Sequence, residues 1–194
     1  MSESEVDELI AIVRACPWLM TVLAAVQAAG LPDAWVGAGA LRNVVWDQRY
    51  GDGFDPARVR DVDVAFFDQA DLSRERDRAA TAELARHLPA VPWEATNQAA
   101  VHLWYPAAEG GGPVSPLASV AEAIGTWPEL ATSVAVRRTS DDRLEVLAPH
   151  GLGDLLGGIW RRNPRRVSVE RSRQRLERQR PAQRWPGVRV IEPV

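Results

Sequence analysis

The chain contains no lysine; all 23 of its basic residues are arginine. No lysine can therefore serve as a phosphate ligand or base, and cationic phosphate contacts must come from guanidinium groups or backbone N–H groups. A single cysteine, Cys16, excludes an internal disulfide and a cysteine-based zinc site. Apolar runs are broken by charge or proline within a dozen residues, so no membrane span is expected. The start, Met1-Ser2-Glu3-Ser4-Glu5, lacks the basic and apolar segments of a secretory signal. These absences lead us to expect a protein of the reducing cytoplasm with no membrane partner.

Length and composition fit one ordinary globular domain: 194 residues, 46% apolar and 25% charged. Charge is unevenly spread. Between Arg161 and Arg189 stand eleven arginines against Glu170 and Glu177, a net +9, which leaves −12 for the rest of a chain whose total is −3. Such a split marks a nucleic-acid contact in some proteins, and in others an arginine-rich tail folding back on an acidic body. The expected division is a body over residues 1–160 and an arginine-rich extension over 161–194, packed on or extending from it.

Ser2-x-x-Glu5 has the form of a capping box before a first helix. Pro17 ends that helix or begins a second, which runs to Ala29 and closes at Gly30. A short strand at Ala34–Val36, a helix at Ala40–Gln48 and a loop from Arg49 to Val59 follow. A second strand is expected over Asp61–Asp68, a charged helix over Asp71–His87 and a third strand over Val91–Thr96. Asn97–Tyr105 is ambiguous between strand and helix, and a glycine-rich loop covers 109–113. Helices at Pro116–Ile124 and Leu152–Trp160 flank a hairpin of Thr132–Arg138 with Leu144–Leu147. This order predicts an α+β (α/β) fold, a mixed sheet flanked by helices.

Two stretches carry chemistry. In Asp61-Val62-Asp63-Val64 the period of a strand places both carboxylates on one face, about 7 Å apart, with valines facing a core. Carboxylates on a strand otherwise flanked by apolar residues are costly to bury unless paired or liganded, and oxygen ligands suit divalent cations. Upstream, Gly37-Ala38-Gly39 turns a strand into a helix. Glycines there let the backbone approach a phosphate, and the helix start offers unpaired N–H groups. Arg42, one turn in, can add a bidentate phosphate contact; Asn43 can line the pocket. No P-loop or dinucleotide fingerprint accompanies the turn.

Several segments jointly resemble a known family. They are Gly37-Ala38-Gly39-Ala40-Leu41-Arg42-Asn43 through Trp46-Asp47, Asp61-Val62-Asp63-Val64, Trp93-Glu94-Ala95-Thr96-Asn97-Gln98, Thr126-Trp127-Pro128-Glu129 and Arg162-Asn163-Pro164. With them the chain resembles the small bacterial nucleotidyltransferase-like family of the DNA polymerase beta superfamily. The resemblance implies a minimal polymerase-beta-like fold. It implies transfer of a nucleoside monophosphate from an NTP to a hydroxyl or phosphate acceptor, releasing pyrophosphate, with Mg²⁺ or Mn²⁺ held by Asp61, Asp63 and a third carboxylate. Glu94 is the expected third, and Asp68 the fallback. Asn97 and Gln98 are expected to meet base or ribose, or to cap a strand end. An RNA acceptor would meet the segment 161–189. The superfamily's usual Gly-Ser pair is Gly-Ala here, which removes a hydroxyl, so a catalytically silent nucleotide- or RNA-binding protein on the same fold is the competing expectation.

Overall fold

The computed structural model describes residues 2–109 and 115–194. Helix α1 (Glu3–Arg14) is fixed at its start by a complete capping box: the Ser2 hydroxyl accepts from the Glu5 N–H, and the Glu5 carboxylate accepts from the Ser2 N–H at 2.7 Å. Pro17 begins α2 (Pro17–Ala29) at the first helical position, and Gly30 closes it in the left-handed conformation at φ +61°. Proline fits there because an N–H at that position would have no intrahelical partner.

Strands β1 (Trp35–Gly37), β2 (Val62–Phe66), β3 (Trp93–Asn97), β4 (Ala135–Arg138) and β5 (Leu144–Leu147) form one mixed sheet in the order β3-β2-β1-β4-β5. The central β1 is antiparallel to β2 and β4; β2 and β3 are parallel, joined through α4 (Arg74–His87). Alternation sorts the side chains. Val36, Val62, Val64 and Phe66 enter the main core with Leu9, Leu23, Trp46 and Leu84. The opposite face carries Trp35, Ala65 and Ala135, covered by Val120 and Ile124 of α6 (Val120–Ile124). Asp63 alternates with Val62 and Val64, so it stands on this second face, away from the main core.

Helix α3 (Ala38–Tyr50) follows β1 directly. After β3 the ambiguous stretch resolves into a 3-10 turn and helix α5 (Val101–Glu109). The glycine-rich loop expected over 109–113 lies, beyond Glu109, outside the described residues. Several expected elements are shorter than their patterns. The second strand loses Asp61, Phe67 and Asp68 at its ends, the charged helix starts at Arg74 and the hairpin strand at Ala135, and the helix ending at Ile124 begins only at Val120, capped by Ser119. The helix expected over Leu152–Trp160 stops as α7 (Gly153–Leu156). Gly157 lies so close to the turn before it that a Cβ would stand 2.6 Å from the Gly153 carbonyl, and Gly158 has φ +62°. The chain then becomes β6 (Ile159–Trp160), parallel to β7 (Arg189–Val190).

Between those two strands run α8 (Val169–Gln179) and α9 (Pro181–Arg184). They return to the body. Trp185 is 1% exposed and meets Trp46 edge-on at 5.0 Å between ring centroids. Asp47, near the C-terminal end of α3, is buried and accepts the Trp185 indole N–H at 2.6 Å. No single helix among the described residues is long and apolar enough to cross a membrane.

Candidate active site

The two glycines of the turn do different work. A Cβ at Gly37 would stand 2.5 Å from the Val134 carbonyl and 2.8 Å from the Trp127 ring, so packing alone demands glycine there. At Gly39 the nearest atom is Oδ1 of Asp61, 3.9 Å from where a Cβ would be. Gly39 therefore presents bare backbone to the acidic pair. Between them Ala38 holds φ +52°, a left-handed conformation that costs a non-glycine residue about 1 kcal/mol.

Asp63 on β2 is the register partner of Glu94 on β3. Asp61 stands one residue before the strand and is exposed, so the two aspartates are neighbours on a strand and its lead-in rather than on one strand. Burial pushes the Asp63 carboxyl up to about 7; the negative charges of Asp61 and Glu94 push the same way, against a hydrogen bond from the Gly39 N–H and the charge of Arg175. Among the described residues no three Asp, Glu, His or Cys side chains converge tightly enough to hold an ion by themselves. The donor set nonetheless fits Mg²⁺, which commonly takes one or two carboxylates and completes its octahedron with water and phosphate oxygens. Asp68 lies outside this group. It accepts from Arg76 Nε at 2.7 Å, which holds its carboxyl below the usual range.

Above the turn opens a cavity of about 690 Å³ lined by Ala38, Gly39, Asp61 and Asp63, and by Arg42, Arg58, Arg60, Arg175, Arg178 and Arg184. Three of these arginines belong to α8 and α9, so the basic C-terminal segment forms one wall. Arg175 grips Glu129, which is 0% exposed, at 2.6 and 3.0 Å. Arg184 reaches the Asp47 carboxylate at 3.2 Å. Arg58, Arg60 and Arg178 are exposed at the cavity.

Arg42 lies deep. Its guanidinium stands 5.5, 5.3 and 5.0 Å from the ring centroids of Trp46, Trp160 and Trp185, a cation–π cage. Nε and Nη2 donate to Asn43 Oδ1 at 3.2 and 2.8 Å, which takes up the Asn43 carbonyl. Burial pushes the Arg42 pKa down to about 10, still far above neutral pH, so the guanidinium stays charged.

Asn97 leaves the candidate set. Its carbonyl accepts from the Asp68 and Ala99 N–H groups, and its amide donates to the Asp68 and Asp71 carbonyls. All four hydrogen-bonding positions of the side chain are used, and it pins the end of β3. Gln98 is buried, donates to the Thr96 carbonyl at 3.2 Å, and lines a second cavity beside Glu94. Sequence reasoning missed Arg58, Arg60 and Trp127, which sit in a loop and before a short turn without a periodic signal. It left the arginines of 161–189 between a nucleic-acid contact and a tail folding back on the body, because nothing local shows that the segment returns to the turn.

No curated protein matches the chain. An NMR structure described as revealing a CCA-adding enzyme head domain is similar to it, with a TM-score of 0.78 and 26% identity over 96% of this chain and 95% of that one. The family described as Nucleotidyltransferase matches residues 24–190, a span that holds the glycine turn, both acidic strands and the arginine wall. The chain is a member of this nucleotidyltransferase family.

Proposed function

We propose that the protein transfers a nucleoside monophosphate from an NTP to an acceptor hydroxyl and releases pyrophosphate, in a reaction that requires Mg²⁺ or Mn²⁺. The observation that carries this reading is Asp63, crowded by Asp61 and Glu94 beneath an arginine-lined cavity. Carboxylates gathered without a countercharge between them are a place for divalent cations. When bound, such cations neutralise the triphosphate and stabilise attacking and leaving oxygens.

The chain's own groups then have distinct tasks. Asp61, Asp63 and Glu94 hold the cations. The exposed guanidiniums of Arg58, Arg60 and Arg178 bind the outer phosphates, and the caged Arg42 supplies fixed positive charge behind them. Bare backbone at Gly39 lets the triphosphate approach. The acceptor oxygen bonds to the α-phosphorus, the bond from that phosphorus to the bridging oxygen breaks, and pyrophosphate leaves with the electron pair. The acceptor proton passes to the exposed Glu94 carboxylate and on to solvent.

A second reading is a silent nucleotide- or RNA-binding protein, favoured by one observation: Ala38 offers no hydroxyl at the turn. One experiment separates them. The protein is incubated with each NTP, Mg²⁺ or Mn²⁺ and candidate acceptors, with pyrophosphate release and thermal shift both recorded. Release that disappears in Asp63→Asn supports transfer. A nucleotide-dependent shift with no release under any condition supports the silent binder, and neither shift nor release overturns both.

A further inference from the structure

A second cavity, of about 320 Å³, lies on the other side of the carboxylates. The two cavities share Asp63, Trp127 and Pro128; Asp61 lines only the first and Glu94 only the second. The acidic centre is thus a partition. An in-line displacement needs the attacking and leaving oxygens on opposite sides of the reacting phosphorus. If the arginine-lined cavity takes the triphosphate, the acceptor must approach from the Glu94 side.

The lining there has a different character. The first cavity is ringed by guanidiniums; among the described residues lining the second, Arg166 is the basic one and Asp63 and Glu94 the acids. Its walls include Trp104, Tyr105 and Trp127, with the Gln98 amide buried at one edge. Trp104 and Tyr105 are neighbours at 6.3 Å between centroids. The Arg74 guanidinium lies 4.5 Å from the Trp104 ring centroid and that of Arg166 lies 4.8 Å from the Tyr105 centroid, so cationic groups already border the aromatic walls. Aromatic surfaces receive a flat ring by stacking, and a side-chain amide reads polar edges. A polycationic amino sugar would need acidic walls, and among the described lining residues the acids are confined to the Asp63–Glu94 edge. The volume lies at the lower end of small-molecule sites and suits a group of nucleoside size.

We infer that this second cavity binds the acceptor and that the acceptor is a nucleoside unit: a planar base against the aromatic walls, its phosphate on Arg166, its hydroxyl at Asp63 and Glu94. The inference rests on the transferase reading for the placement of the donor. The bond made is from the nucleoside hydroxyl oxygen to the α-phosphorus; the bond broken releases pyrophosphate, and the proton leaves by Glu94.

The test measures acceptor binding without turnover. A fluorescent RNA trinucleotide ending in a 3′-hydroxyl, and nucleoside 5′-monophosphates as competitors, are titrated into the full chain with Mg²⁺ and no NTP. Expected are saturable binding and a Kd raised about tenfold or more in both Trp104→Leu and Arg166→Gln. NTP-induced thermal shift in the same variants shows that they are folded and reports separately on the donor site. Trinucleotide binding at least about tenfold tighter than monophosphate identifies an RNA end as the source; equal affinity identifies a free nucleotide. No saturable binding, binding unchanged in both variants, or displacement by an aminoglycoside overturns the inference, whatever the donor measurement shows.

Discussion

Asp63 and Glu94 face each other across two parallel strands, and burial, with the negative charges of Asp61 and Glu94, raises the proton affinity of Asp63. Because the Asp63 carboxyl is raised from 3.8 to about 7, the folded protein binds a proton that the unfolded chain releases across that window. The contribution of Asp63 to stability therefore falls as pH rises from about 4 to about 7 and is level beyond it. Asp63→Asn removes this contribution, leaving the smaller ones of Asp77 and Asp154, whose carboxyls burial also raises, and stabilises the metal-free protein near pH 8 by about 1–2 kcal/mol, after discounting for residual solvent screening. Urea denaturation of both proteins across this pH range checks the slope. A wild-type stability that rises toward neutral pH, and a variant less stable at pH 8, would contradict it.

Divalent cations are expected to act in the opposite sense. A cation on Asp63 replaces the proton, so Mg²⁺ raises the thermal midpoint more near pH 8 than near pH 5.5. The midpoint gain vanishes in Asp63→Asn and shrinks in Glu94→Gln. In assays of pyrophosphate release, the same substitutions lower the rate by about 100-fold or more, the scale of losing a group that stabilises transition-state charge. Scanning calorimetry with and without Mg²⁺ gives the first comparison, and a coupled pyrophosphate assay the second.

The C-terminal helix is expected to be part of the folding unit. Glu129 is wholly buried and Arg175 supplies its countercharge from α8. Removing one member of a buried ion pair leaves an uncompensated charge, which costs about 3–5 kcal/mol. Arg175→Ala should therefore lower stability by about 3 kcal/mol or more, whereas Arg178→Ala, at an exposed site, should leave it nearly unchanged while raising the KM for NTP. A urea midpoint for each variant, with KM measured beside it, decides this.

How far the sequence disclosed this site follows from the range of the interactions involved. The capping box at Ser2 and the glycine cap at Gly30 are local patterns, and each lies where its residues predict; the second strand forms where expected but leaves Asp61 just outside it. The pairing of Asp63 with Glu94 required strands separated by a helix to meet in register, and only the family resemblance brought them together. The arginine wall was beyond local reasoning altogether. Its position depends on Trp185 packing on Trp46 and bonding Asp47, contacts between the far end of the chain and α3. Asn97 stayed open between ligand and strand end for the same reason: its amide donates to the carbonyls of Asp68 and Asp71, residues distant from it in sequence. A helix expected to run through Gly157-Gly158 failed because glycine tolerates the left-handed turn taken there.

The glycine turn offers the sharpest contrast between folding and function. Gly37→Ala forces a methyl to 2.5 Å from the Val134 carbonyl, an overpacking expected to cost about 3 kcal/mol. Gly39→Ala meets nothing closer than 3.9 Å and replaces a glycine in the first turn of α3, where alanine favours helix by up to about 1 kcal/mol. The Gly39 variant should thus be as stable as the natural protein or slightly more so. Its methyl nonetheless occupies the face turned to Asp61, where bare backbone lets the triphosphate approach, so NTP-induced stabilisation should weaken by about tenfold in apparent affinity. Parallel urea and nucleotide titrations on the two variants test both halves. A Gly39→Ala protein that binds NTP as the natural chain does would separate this turn from the phosphate site.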